Sequence, residues 1–260
     1  MTTTPRPRSA VAAGAAAAAP SRRVRAQARF EVGTLLRNGE QLLVSIVLPA
    51  LALVGLAATS SPSLGEGRRI DLAVPSVLAL AVISVAFTSQ AIATAFDRRY
   101  GVLRYLGVTP LGRSGLLAAK VLATLAVELV QLVVIGGLGL ALGWQPNIGG
   151  VGWALVFLLV GTWSFVALAL LLAGTLRAEA VLAVANLLWV AFLVLGVIVP
   201  RTLLPGAASS VAAGLPSASL ADGLRTALVD GRLNLPALLV VLGWAIVASA
   251  LAARFFRFDD

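Results

Sequence analysis

Six long apolar runs, separated by short polar segments, dominate the hydrophobic pattern of the chain. Most are close to the ~20 residues that a helix needs to cross the hydrocarbon core of a bilayer. The pattern therefore predicts an all-α, polytopic membrane protein with six transmembrane helices. The runs cover residues 42–58, 74–96, 116–142, 151–176, 181–199 and 236–256.

The residues before the first run divide into two predicted parts. Residues 1–20 are of low complexity and are predicted to form a disordered tail. Residues 21–38 predict an amphipathic interfacial helix with Ser21 as its N-cap, lying along the lipid headgroups. A solvated, charged leader is the alternative, because the apolar face is weak. That face consists of Val24, Ala28, Val32, Leu35 and Leu36, and the opposite face of Arg22, Arg25, Arg29 and Arg37.

Residues 39–260 form the predicted six-helix domain, and its charge distribution gives the orientation. Only 12% of the residues are charged, about half the share of a soluble domain. Fifteen of the 20 Lys and Arg residues fall on the side of the N-terminus, so both termini are predicted to be cytoplasmic. The net charge of +9 reflects this topology, and no nucleic-acid partner is expected. The five residues on the other side are Arg68, Arg69, Arg201, Arg225 and Arg232.

The composition excludes most catalytic chemistry. The chain has no cysteine and no histidine, which removes thiolate nucleophiles, imidazole bases and the metal sites built on them. No GxxxxGK[ST] sequence occurs, so the chain does not bind ATP through a phosphate-binding loop of that type. We therefore expect no catalytic residues, no metal site and no cofactor in this chain.

A few polar residues interrupt the apolar runs. Glu128 is predicted to be a structural acid, protonated or hydrogen-bonded to Gln131, Gln90 or Asn186 on neighbouring helices. Isolated carboxylates in membranes usually face the bundle interior or a water-filled cavity. The alternative is that Glu128 meets a cationic substrate or carries a proton. All four residues are thus candidates for a substrate path or for structural polar contacts.

The connections outside the apolar runs include one long segment, residues 200–235. Within it the sequence LADGLRTALVD predicts a short helix before the sixth run, capped by Ser219 and ended by Gly231. This segment lies on the predicted outer side of the membrane.

The most informative polar interruption is residues 97–120, which carry five positive charges against one negative. Arginines alternate there with tyrosines and leucines, which predicts a short amphipathic helix. Thr109 and Pro110 form a good helix start, as N-cap and first-turn residue, so the third run is predicted to be continuous with this segment. An ordinary positively charged loop is the alternative.

The sequence DRRYGVLRYLGVTPLGRSGLLAAK resembles the loop between spans 2 and 3 of ABC-2-type transporter permeases, closest to daunorubicin and antibiotic-efflux subunits. The resemblance covers the chain from about Ser21, and one departure is Asp97, where many members have Glu. It implies that residues 97–110 couple the permease to an ATPase. The matching and neighbouring positions are Asp97, Arg98, Arg99, Tyr100, Gly101, Leu103, Arg104, Leu106, Thr109, Pro110 and Lys120.

The resemblance implies an exporter subunit in a bacterial plasma (inner) membrane. Its implied partners are two copies or homologues of an ABC ATP-binding subunit, which hold ATP and Mg²⁺, and a second permease, identical or homologous. The implied substrate is a hydrophobic drug, an antibiotic or a lipid-like compound, with a path lined in part by spans 2 and 5.

Two other functions stay open at this point. One is a proton-coupled secondary drug transporter that uses Glu128. The other is a non-transporting membrane scaffold or immunity protein, which needs no ATPase partner.

Overall fold

The computed structural model of the protein describes residues 18–37, 39–61, 63–107, 109–198 and 206–256. Eleven α-helices and no strands occur among these residues. The prediction of an all-α protein is confirmed. The helices are α1 (Pro20–Arg37), α2 (Gly39–Ala58), α3 (Arg69–Val82), α4 (Gln90–Arg99), α5 (Val102–Gly107), α6 (Gly112–Ala141), α7 (Val151–Thr175), α8 (Ala178–Phe192), α9 (Gly206–Gly214), α10 (Pro216–Asp230) and α11 (Leu235–Phe255).

Five helices are long and apolar enough to cross a membrane, and Ser45–Ala58 of α2 is a shorter apolar helix, consistent with the six predicted spans. In span 2 a π-helical stretch, Ile83–Ser89, joins α3 to α4 in one continuous helix. A second π-helical stretch, Leu193–Ile198, continues α8 in span 5. The five are Arg69–Arg99, Ser114–Ala141, Ile148–Thr175, Ala178–Val197 and Leu235–Phe255.

Helix α7 lies in the middle of the bundle, packed against span 2, α6, α10 and α11. Three phenylalanines from spans 2, 4 and 5 meet there edge to face. The ring centroids of Phe87 and Phe192 are 5.5 Å apart, and those of Phe165 and Phe192 are 5.7 Å apart. This geometry is the preferred one for aromatic pairs, and it ties the three spans together.

The molecule has two ends with different composition. We call one of them the basic end, and α5, the turn between α7 and α8, and both ends of the described chain lie there. Near the first end of the chain, Arg23 Nη1 donates to the Pro110 carbonyl at 2.6 Å. Near the last, Phe256 packs on Gly174 at the end of α7. At the opposite end, the backbone N–H of Asn147 donates to the Leu228 carbonyl at 2.8 Å. The helices therefore alternate in direction as the six-run pattern requires.

Proline residues, rather than the predicted serine caps, mark the start of two helices. Helix α1 begins at Pro20, so Ser21 lies in its first turn, and residues 1–17 of the predicted tail lie outside the described residues. Helix α10 begins at Pro216, three residues before Ser219. Proline favours the first turn, because its fixed φ suits a helix and its missing N–H is not needed there. The predicted end of α10 at Gly231 is confirmed.

Helix α10 is held against the membrane helices by Arg225. Its guanidinium donates to Ser76 Oγ on α3, from Nη2 at 2.9 Å and from Nε at 3.1 Å, and to the Val197 carbonyl in span 5. Burial lowers the pKa of Arg225, and Asp222 at 3.6 Å partly offsets this effect. The helix before the last span is thus part of the packed bundle.

Candidate functional site: the coupling segment and its surroundings

The segment after span 2 turns sharply at Gly101. Helix α4 ends at Arg99, and Gly101 has a φ of 76°, a left-handed conformation that favours glycine. Its N–H donates to the Arg98 carbonyl at 2.9 Å, which closes the turn. The chain then enters α5 in a new direction.

Three residues of the segment face the protein. Leu103 is fully buried, and Arg98 is buried and donates to the Leu176 carbonyl at the end of α7. Arg99 forms an ion pair with Glu179 at the start of α8. Contacts to the turn between α7 and α8 therefore fix the end of α4, and the buried Leu103 holds α5 against the protein.

Four other residues of α5 and its preceding turn face solvent. The exposed α5 surface, as we name it, consists of Tyr100, Val102, Arg104 and Tyr105. Tyr100 is 72% exposed and Tyr105 is 76% exposed. The resemblance assigns all residues of the segment to coupling. In the structure, some of them are buried and anchor the segment, whereas others are accessible to a partner. Thr109 and Pro110 are also exposed, and Leu106 is half-buried.

The prediction that Thr109 and Pro110 start the third span is wrong. They lie in a turn, and α6 begins at Gly112, after Leu111. Gly112 has a φ of 67°, which breaks the helical path between the turn and α6. Thr109 Oγ1 donates to the Leu106 carbonyl at 2.6 Å and accepts from the Leu111 N–H at 3.4 Å, so both of its bonds lie within the turn that precedes α6. The segment is therefore joined to span 3 by a turn and not by a continuous helix.

Sequence reasoning missed the central ion cluster at this end. Lys120 on α6 is only 1% exposed, and its Nζ lies 3.4 Å from Glu31 Oε1 on α1 and 3.6 Å from Asp97 Oδ2 at the end of span 2. One ammonium thus joins α1, α4 and α6. A signal was present, because Glu31 is the only acid among the many basic residues of 21–38.

Glu128 lies deep in span 3, and its partner differs from the predicted ones. Thr162 Oγ1 on α7 donates to Glu128 Oε2, whereas Gln90, Gln131 and Asn186 bond elsewhere. The reason is packing, because α7 faces this turn of α6. A proton relay needs a series of titratable groups, and the contact described for Glu128 is to a hydroxyl.

The three amides take separate positions. Two of them join neighbouring helices, while Asn186 is exposed and bonds within its own helix. The bonds are Gln90 Nε2 to Thr124 Oγ1 at 3.0 Å, Gln131 Nε2 to the Ser45 carbonyl at 2.7 Å, and Asn186 Nδ2 to the Leu182 carbonyl at 2.8 Å.

A large open cavity of ≈ 1070 Å³ lies between α2, span 2 and span 5. Its wall is mainly apolar, with hydroxyl groups from Ser84 and Thr88 and the side chain of Asn186. Both π-helical stretches contribute to the wall. Trp189 Nε1 donates to Ser84 Oγ at 2.9 Å and so joins span 5 to span 2 along it.

Comparison with known families decides the identity of this arrangement. The family model described as ABC-2 type transporter matches residues 22–229, which include α1 from Arg22 onward, the first five spans and the segment with α5. The chain belongs to the ABC-2 type transporter family. This ABC-2 permease is therefore a multi-pass membrane protein and a transport subunit that is not itself catalytic. A comparison with curated proteins finds no significant match.

Proposed function

We propose that this ABC-2 permease is the membrane subunit of an ATP-driven exporter and that separate ATP-binding subunits dock on the exposed α5 surface. The supporting observation is that α5 is anchored by the buried Leu103 while Tyr100 and Tyr105 point outward. Tyrosine and arginine are enriched in protein interfaces. A loop that only set the topology would need positive charge and no exposed aromatic rings.

The anchoring contacts provide a route for force. Arg98 and Arg99 join the end of span 2 to the turn that connects spans 4 and 5. Lys120 joins the same end to α1 and to span 3. A displacement of α5 by a partner would therefore move the inner ends of several spans together, and this is the proposed step between ATP hydrolysis and transport.

The large cavity supports a hydrophobic substrate. Its apolar wall suits a drug, an antibiotic or a lipid-like compound, and its hydroxyl and amide groups provide a few polar contacts. The cavity is open along one side of the bundle. We propose that a second permease, identical or homologous, closes that side and that the substrate path runs between the two.

The basic end is proposed to face the cytoplasm of a bacterial plasma membrane. Lys and Arg concentrate on cytoplasmic loops, and the ends of the described chain lie at this end of the bundle. The ATP-binding subunits, with their ATP and Mg²⁺, would then meet α5 from the cytosol.

Co-purification of the permease with its ATP-binding subunit tests the docking proposal. The double variant Tyr100→Ala/Arg104→Glu changes only exposed side chains, so the fold should persist while recovery of the ATP-binding subunit falls at least about tenfold. Ile148→Ala, at a position 79% exposed at the opposite end, is the matched control and should leave recovery unchanged. Undiminished recovery with the double variant would show that the docking proposal is wrong.

A further inference from the structure

A second cavity, of ≈ 450 Å³, opens at the basic end between α1, span 2 and α5. Most of its wall is apolar. Phe30 of α1, which is 68% exposed, and Tyr105 of α5 stand among the residues that line it. An aromatic ring attracts a cation placed over its face. We call this space the α1–α5 cavity.

The charged residues described in the wall of the α1–α5 cavity are both acidic, Glu31 and Asp97. Lys120 lies behind them and neutralises one of the two negative charges. Glu31 also accepts a hydrogen bond from Gln27 Nε2 at 3.1 Å, whereas the side chain of Asp97 is 37% exposed. Both carboxylates share Lys120, so the three groups carry one net negative charge, and Asp97 is the more exposed of the two carboxylates.

A second acceptor lies deeper in the same wall. Gln90 precedes Asp97 by seven residues on α4, so the two share a helix face about 10 Å apart along the axis. Gln90 Nε2 donates to Thr124, and Gln90 Oε1 is buried with no hydrogen-bond donor in the described part of the protein. A buried acceptor without a donor is costly, and a ligand N–H or O–H group would relieve that cost.

We propose that the α1–α5 cavity binds a lipophilic organic ammonium ion. Its N–H groups bond to the Asp97 carboxylate, its apolar body lies along the wall beside Phe30, and a second donor on a longer ligand reaches Gln90. The acidic pair repels an anion, and an uncharged molecule of the same shape gains only apolar contacts with the wall. The inference names a class of substrate. That the bound ion is exported rests on the proposed function.

A pair of isosteric probes tests the site. The full chain in nanodiscs of phosphatidylcholine, which has no net charge, is dialysed against 1-naphthylmethylammonium or 1-naphthylmethanol. Because the two probes differ mainly in charge, the ammonium should bind at least about tenfold more tightly. Equal affinities would overturn the proposal.

Variants identify the cavity as the binding place. Asp97→Asn should remove the preference for the ammonium and leave the affinity for the alcohol unchanged. Asp230→Asn, which removes a carboxylate at the opposite end, is the matched control and should behave as the unchanged chain. Phe30→Leu removes the aromatic ring beside the apolar body and should weaken ammonium binding about threefold.

Two results would contradict the assignment. One is an undiminished preference for the ammonium in folded Asp97→Asn. If that variant does not fold, ammonium binding that is unchanged in Phe30→Leu overturns the proposal instead. The ATP-binding subunit is absent from these measurements. Failure here thus leaves the docking proposal intact, and failure of the docking experiment leaves the binding result intact.

Discussion

At the scale of single residues, Lys120 has the most exacting environment. It is an ammonium buried between two carboxylates that belong to different helices. Taking a charge out of water costs several kcal/mol, and that cost is met only when partners of opposite sign are held close. The cluster therefore fixes where α1 sits relative to spans 2 and 3.

Replacing Lys120 with methionine should destabilise the protein strongly. The stem keeps its apolar contacts, but Glu31 and Asp97 lose their shared cation and repel each other. We expect the free energy of unfolding to fall by about 3 kcal/mol. Denaturant unfolding in lipid nanodiscs measures the change.

The matched control removes all three charges. In Lys120→Met/Glu31→Gln/Asp97→Asn no buried ion is left unpaired, so most of the lost stability should return. If the single variant unfolds at the same denaturant concentration as the unchanged chain, the ion cluster does not stabilise the protein as argued.

This cluster also marks a limit of sequence reasoning at the residue scale. Lys120 falls within the third apolar run, but its partner Glu31 lies 89 residues earlier. No helical periodicity relates two residues on different helices, and only the packing of α1 on α6 brings them together. The same holds for Glu128, whose partner Thr162 lies on α7.

At the scale of elements, the turn between α4 and α5 decides which side chains are accessible. The left-handed Gly101 changes the course of the chain, and beyond it Leu103 is buried whereas Tyr105 is exposed. The sequence predicts a short amphipathic helix here. It did not give the direction of α5, because that depends on the backbone angle at one residue.

Gly101→Ala should destabilise this turn. A left-handed conformation costs a residue with a side chain roughly 1–2 kcal/mol, although no atom lies within 4 Å of the added Cβ. Gly33→Ala in α1 also meets nothing within 4 Å and has ordinary helical geometry. That control should be neutral or should stabilise the protein by about 0.5–1 kcal/mol. Thermal unfolding of the two variants compares them directly, and equal midpoints would contradict the argument.

At the scale of the whole molecule, the lengths of the apolar runs predict the spans well. Capping and turn residues predict the ends of the helices less well. A run such as 151–176 must be a helix in a membrane, because every backbone group needs a partner. The ends depend on local competition, as at Pro216, where α10 begins three residues before the predicted cap Ser219. The positions of the two cavities depend on how helices from distant parts of the chain pack, which no single run specifies.

The predicted orientation is testable because the chain has no cysteine. Tyr100→Cys and Ile148→Cys each place one thiol at a well-exposed position, at the basic end and the opposite end respectively. A membrane-impermeant maleimide should label the second variant in intact bacterial cells and the first only after permeabilisation. Labelling of Tyr100→Cys in intact cells would reverse the orientation.

The wide turn Ile83–Ser89 has a consequence for the charged residues below it. A π-helical turn holds an extra residue, and each residue of an α-helix contributes 100° of rotation. Without that one residue, every later position of span 2 would move back one place. Arg98 would take the position of Asp97, and Lys120 would face a second cation in place of one of its two carboxylates. A single additional amino acid, about two turns above the ion cluster, thus keeps a carboxylate rather than a guanidinium next to Lys120.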